Sequence, residues 1–156
     1  MTNRQTRRAL AVFQLFGGSF GLAILWGAAR LIGQAGVLFF LYFLIIYAGI
    51  TYAGVLLWRD SPHADIVTAF AQMVQVPVIL TPSVGYYAIA GLGLQLKCDV
   101  TLSCGFYAHF GALFHFAWGG DSIVTTLGIN VVPVAILIWL LRQPEFTPSP
   151  DKPAGA

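Results

Sequence analysis

Long stretches of this chain carry no charged side chain at all: residues 9–29, 31–58, 66–96 and 122–141. Each is long enough to build about 30 Å of helix at 1.5 Å per residue, which is the thickness of a bilayer's hydrocarbon core. A water-soluble domain of this size must cover its surface with polar groups. Charged residues make up only 9% here, against about 25% in soluble domains, and the mean hydropathy is +0.78. The sequence therefore predicts an integral membrane protein with the lipid bilayer as its solvent. The formal charge of +2 is small and the basic residues are scattered, which argues against nucleic acid as a partner.

The first apolar run follows Arg4, Arg7 and Arg8, as in a signal peptide. It exceeds the usual apolar region of about 7–15 residues, and further apolar runs follow, so it reads as a retained span. The charges and prolines then divide the chain into an all-α membrane protein with four transmembrane helices at about 10–31, 36–58, 62–81 and 122–141. Residues 1–9 form a cytoplasmic tail and 143–156, rich in proline, a disordered one. Gly33 and Gln34 turn between the first two helices, which must then be antiparallel neighbours. Ser61 caps the third helix with Pro62 at its first position. Pro77 kinks that helix, and Thr81-Pro82 end it. Asp121 caps the fourth, Asn130 and Pro133 kink it, and Pro144 stops it.

Residues 83–120 have a different period. Ile89, Leu92, Leu94 and Leu96 nearly alternate with small or polar residues, and the stretch around His115 alternates again. A period of two predicts strand, hence a small extracytoplasmic β-hairpin between helices 3 and 4, turning at 98–104. The alternative is that helix 3 continues through 86–96, with an interfacial helix over 106–118.

Orientation follows from the basic residues. With the N-terminus inside, the cytoplasmic face receives Arg4, Arg7, Arg8, Arg59, Arg142 and Lys152, and the other face Arg30 and Lys97. Trp26, Trp58, Trp118 and Trp139 fall near the expected interfaces. The expected location is the plasma membrane, as in the bacterial inner membrane, with both termini cytoplasmic.

Few residues can carry chemistry. Cys98 and Cys104 lie in the segment assigned to the oxidising side, so a disulfide closing a short loop is expected. A thiol redox role would call for a C-x-x-C pair, whereas the spacing here is C-x5-C. His109 and His115, six residues apart, share one face of a strand and are the candidate metal ligands, although the spacing fits no standard zinc pattern. Within the spans the polar groups are Gln14, Gln72, Gln75 and Asn130, expected to hydrogen-bond between helices or to line a small pathway. Gly17 and Gly21 form a G-x-x-x-G, and Ala48-Gly49 and Ala53-Gly54 add small faces suited to close helix packing. No acid lies at mid-span, which disfavours an ion-coupled transporter.

No Walker, H-E-x-x-H or nucleophile-elbow motif is present. The layout resembles that of many four-span bacterial membrane proteins, with no motif to carry a function. The sequence thus predicts a non-enzymatic binding, accessory or scaffold subunit with no cofactor. Its partner would be a membrane protein or a second copy. The alternatives are a small oligomeric channel or transporter and an extracytoplasmic thiol or metal protein.

Overall fold

The computed structural model describes residues 3–29, 36–118 and 124–143. The elements run α1 (Asn3–Ala28), α2 (Val37–Trp58), α3 (Ala64–Met73), β1 (Pro77–Leu80), β2 (Val84–Asp99), β3 (Cys104–Trp118), β4 (Thr126–Asn130) and α4 (Val131–Leu141). This overturns the all-α expectation of four transmembrane helices and the four-helix bundle with it. Among the described residues four helices pack with a four-stranded antiparallel sheet of order β1-β4-β2-β3. By length and composition only Arg4–Ala28 and Val37–Trp58 could cross a membrane as helices among the described residues.

Two prolines explain most of the correction. The residue before a proline is pushed out of the α region, so Pro77 ends the third helix rather than kinking it. Its chain turns through Val76, whose N–H reaches the Met73 carbonyl, and continues as β1. Pro77 can open a strand because the first position tolerates a missing donor. In the expected fourth span, the Thr-Leu-Gly-Ile-Asn segment pairs as β4 with both β1 and β2. Helix α4 begins only at Val131. Pro133 therefore falls in the first turn, where its missing N–H has no helical acceptor in any case, and it causes no kink. Ser61 does not cap α3 either: His63 occupies the position before the helix, and Thr81-Pro82-Ser83 form the turn from β1 to β2 instead. The expected turn at Gly33-Gln34, the outer Arg30, the Asp121 cap and the tail after Pro144 lie outside the described residues.

The alternating segment is a pair of long strands. β2 and β3 match without slippage from Val84↔Trp118 to Cys98↔Cys104. They are not a cap on a bundle but the centre of the fold. β2 pairs with β1 near its start, at Gly85 and Tyr86, and with β4 near its end, from Gln95 to Asp99, while β1 and β4 pair with each other. One strand can meet both neighbours only by bending sharply. Tyr87 and Lys97 would stand about 33 Å apart on a straight strand, yet the Lys97 ammonium sits 5.3 Å from the Tyr87 ring centroid. The bend falls at Gly91 and Gly111, partners in register with φ of 90° and 108°, a region that favours glycine.

Helix α1 fills the bend. A Cβ on Gly17 would strike the backbone of Ala90 and Gly91, and the Phe13 and Phe20 rings cover Gly91 and Gly111. The expected G-x-x-x-G is thus divided: Gly17 meets the strand, while Gly21 meets the Tyr47 ring on α2. Gly18 and Gly54 close the antiparallel α1–α2 contact, whereas Gly49 faces open space. The main core lies between α2 and the first half of the ribbon, with Phe43, Tyr47 and Ile50 against Ala88, Ala90 and Phe114. The Tyr47 hydroxyl lies 3.1 Å from the carbonyls of both Ile89 and Leu113 beside the bend. A second cluster joins Leu10, Ala11, Leu57 and Ala64 with Trp139 of α4 packed on it.

Candidate functional site

Two polar regions stand out among the described residues. The first is internal. Residues seven apart lie on one face of a helix, and α1 and α3 carry matched series: Arg7, Gln14 and Gly17 on one, Asp65, Gln72 and, just beyond the helix end, Gln75 on the other. The lower level is a hydrogen-bonded ion pair, Arg7 Nη1 donating to Asp65 Oδ2 at 2.8 Å with both side chains largely buried. The upper level is the ribbon itself, where Gly17 abuts Ala90 and Gly91 and the Ala90 N–H donates to Gln75 Oε1 at 2.9 Å. Gln14 and Gln72 fall between, each 1% exposed. Among the described residues both amide atoms of Gln14, Nε2 of Gln72 and the Thr68 hydroxyl have no hydrogen-bond partner.

The structure therefore gives the four expected intramembrane polar residues different duties. Gln75 joins the end of α3 to β2: its Nε2 also donates to the Ala71 carbonyl at 2.9 Å. Asn130 joins β4 to β2, its Oδ1 accepting from the Leu94 N–H at 3.1 Å and its own N–H donating to the Val76 carbonyl. Both satisfy backbone groups where the sheet ladder is interrupted by the bend or by the start of α4. Gln14 and Gln72 have no such role. Asn130 faces Gln95 in register, and Gln95 is as deeply buried, with neither amide atom partnered among the described residues.

The second region is a pocket of about 370 Å³ on the concave side of the bent ribbon, lined by Leu80, Lys97, Asp99, Ser103, Tyr107 and Thr126. Lys97 sits between two rings, 5.3 Å from the Tyr87 centroid and 5.0 Å from that of Tyr107. Desolvation by this partial burial pulls its ammonium below the ordinary lysine value. Tyr87 stacks on His115 at 5.2 Å. Asp99 organises the hairpin tip. Its Oδ1 accepts from the Thr101 N–H, the Thr101 hydroxyl and the Ser103 N–H. These bonds, the Thr101 hydroxyl first, hold its carboxyl below the usual range. Cys98 and Cys104 are disulfide-bonded directly across this tip.

His115 belongs to the concave face with Tyr87, and the same strand parity places His109, opposite Gly93, on the side of Tyr107. Among the described residues no group of three or more His, Cys, Asp or Glu side chains is placed to hold a metal ion. The sequence marks Lys97 only as an outer charge, and it singles out neither Tyr87, Tyr107 nor Gln95. The signal was there: they share odd parity, and Lys97 is the one charge between Asp65 and Asp99. Register alone joins Gln95, Lys97 and Tyr107; the bend adds Tyr87.

The charges gather at two ends. Arg4 pairs with Asp60 at 3.9 Å, and Arg8 lies over the Trp58 ring. With Arg7, Asp65 and Arg59 they form one end, beside the cluster that holds Trp139. Lys97 and Asp99 form the other. Between them the outer surfaces of α1 and α2 are apolar, with Val12, Phe16, Phe20 and Ile24 exposed on one and Leu38, Leu41 and Ile45 on the other. An open groove of about 460 Å³ between α1 and α4 is lined by Leu10, Phe13, Val132, Ile136 and Trp139, among others. Comparison with protein-family models, curated proteins and solved structures finds no match to this chain.

Proposed function

We propose that this protein is embedded in the plasma membrane through the α1–α2 hairpin and acts by binding, as an accessory or scaffold subunit rather than an enzyme. The observation that carries this reading is the uncharged outer surface of that hairpin, bounded by charge at both ends. A helix that is apolar all round belongs in a core or in lipid, and the largest apolar patch of a typical soluble monomer covers only about 300–600 Å². The end bearing Arg4, Arg7, Arg8 and Arg59 faces the cytoplasm by the positive-inside bias, and the Lys97 pocket faces outward.

Binding is favoured over conduction by the duties of the polar groups. Gln75 and Asn130 are committed to backbone N–H groups of β2, so neither is free to line a path between copies. Membranes washed with alkaline carbonate should retain the protein, and gentle solubilisation after crosslinking should recover it in a stoichiometric complex. Release by carbonate would refute the membrane reading. A protein that stays in the membrane but forms no complex with itself or another chain would refute the binding role.

A further inference from the structure

The outer edge of β3 is the least satisfied part of this surface. Among the described residues β3 has a strand neighbour only on its β2 side. The half nearer the tip is also exposed at its side chains: Phe106 is 68% and Phe110 81% accessible, with Tyr107 half-exposed between them. Phe110 continues an aromatic patch with Phe16 of α1, whose ring centroid is 6.0 Å away.

Neither solvent suits this edge. Lipid accepts the phenylalanines but cannot satisfy unpaired backbone N–H and C=O groups, which is why open sheet edges do not face hydrocarbon. Water satisfies the backbone but not the phenylalanines. Another strand satisfies both. Proteins that keep an edge strand single protect it with charges, especially lysine, or with proline. Residues 104–118 contain neither charge nor proline. The bend at Gly111 turns the upper half of the strand toward α1 and α2 and leaves the lower half open.

We propose that β3 pairs with β3 of a second copy, antiparallel about a two-fold axis, joining two sheets into one through residues 105–110. The chemistry favours a second copy over a different partner. An antiparallel strand edge is self-complementary under two-fold rotation, each N–H meeting the C=O it would offer in return. With no charge on the strand, nothing repels an identical neighbour. Every molecule in the membrane carries the same edge. The inference rests on the binding role proposed above and names the partner.

Single cysteines at positions 105–110 test it in native membranes under mild oxidation, with the Cys98–Cys104 disulfide left in place. About a two-fold axis a residue meets its own copy at one position only. Self-crosslinking should therefore peak at one residue and fall off on either side within two. Mixing copies that carry cysteines two before and two after the peak should restore the crosslink. In nanodiscs, native mass spectrometry should give a two-copy particle. Phe106→Glu with Phe110→Glu should reduce it to one copy, while the Cys98–Cys104 disulfide still forms as evidence of a folded ribbon. A one-copy particle with no self-crosslink overturns the proposal. So does a two-copy particle crosslinked only through α1, α2 or α4, or a β3 crosslink to a different protein. Carbonate washing of the same membranes reports separately on the membrane reading, so the failure of one is not mistaken for that of the other.

Discussion

Gln14 and Gln75 show how differently one side chain can serve a fold. Both are buried, and both were legible in the sequence as polar groups inside apolar runs. Gln75 bridges the Ala71 carbonyl and the Ala90 N–H. Gln75→Leu strands a buried donor, and the expected loss is about 1–3 kcal/mol. Gln14 has no partner among the described residues for either amide atom. Gln14→Leu removes two unsatisfied polar atoms at similar volume and should be neutral or stabilising by about 1 kcal/mol. Thermal unfolding of the two variants in one detergent compares them directly; equal losses would contradict the assignment. Nothing in the local sequence distinguishes the two glutamines, because the difference lies in whether a strand edge passes within reach.

Among the elements, the hairpin was the most legible and α3 the least. Alternation over 88–96 and around His115 reports a strand wherever one face is buried, and the tip carries its own instructions in Asp99, Thr101, Ser103 and the two cysteines. Cys98→Ser with Cys104→Ser should loosen the tip by about 2–3 kcal/mol, the loop being short. The Asp99 bonds add a pH dependence. Its folded-state pKa is depressed, so its contribution is full above the ordinary carboxylate value of about 3.9. It is lost as the pH falls through the lower folded value. Amide exchange at Thr101 and Ser103, referred to the rate of a free loop, should stay slow at about pH 5 and lose its protection in strong acid. Asp99→Ala should lose it at both. The third helix misled because no charge interrupts residues 66–81, and hydropathy cannot tell a spanning helix from a short helix followed by a buried strand. Pro77 was the informative residue, and its effect on Val76 outweighed the length of the run.

At the scale of the whole molecule, the Arg7–Asp65 pair ties the first helix to the third across 58 residues of sequence. Both partners are largely buried, so removing one leaves a charge without compensation. Arg7→Met should cost about 3–5 kcal/mol, and the double variant Arg7→Met with Asp65→Leu should recover most of it. Chemical denaturation of the three proteins in the same lipid or detergent reads the cycle. Failure of the double variant to recover would show that the charge itself, not merely its pairing, is needed. Arg7 meets Asp65 at one end of the two helices, and Gly17 and Gln75 both meet the ribbon at Ala90 at the other.

What the sequence by itself determined is chiefly local. Uncharged runs specify apolar surfaces, alternation specifies the long ribbon, and the cysteine spacing specifies a short closed tip. These depend on neighbours along the chain. The tertiary structure alone decided that β2 bends at Gly91 against Gly111, that its two ends meet β1 and β4, and that Lys97 comes to rest over Tyr87. The reason is that a glycine pair permits a bend without dictating one. The direction is set by what packs against it, here α1 through Phe13, Gly17 and Phe20, and that contact lies far from the ribbon in sequence.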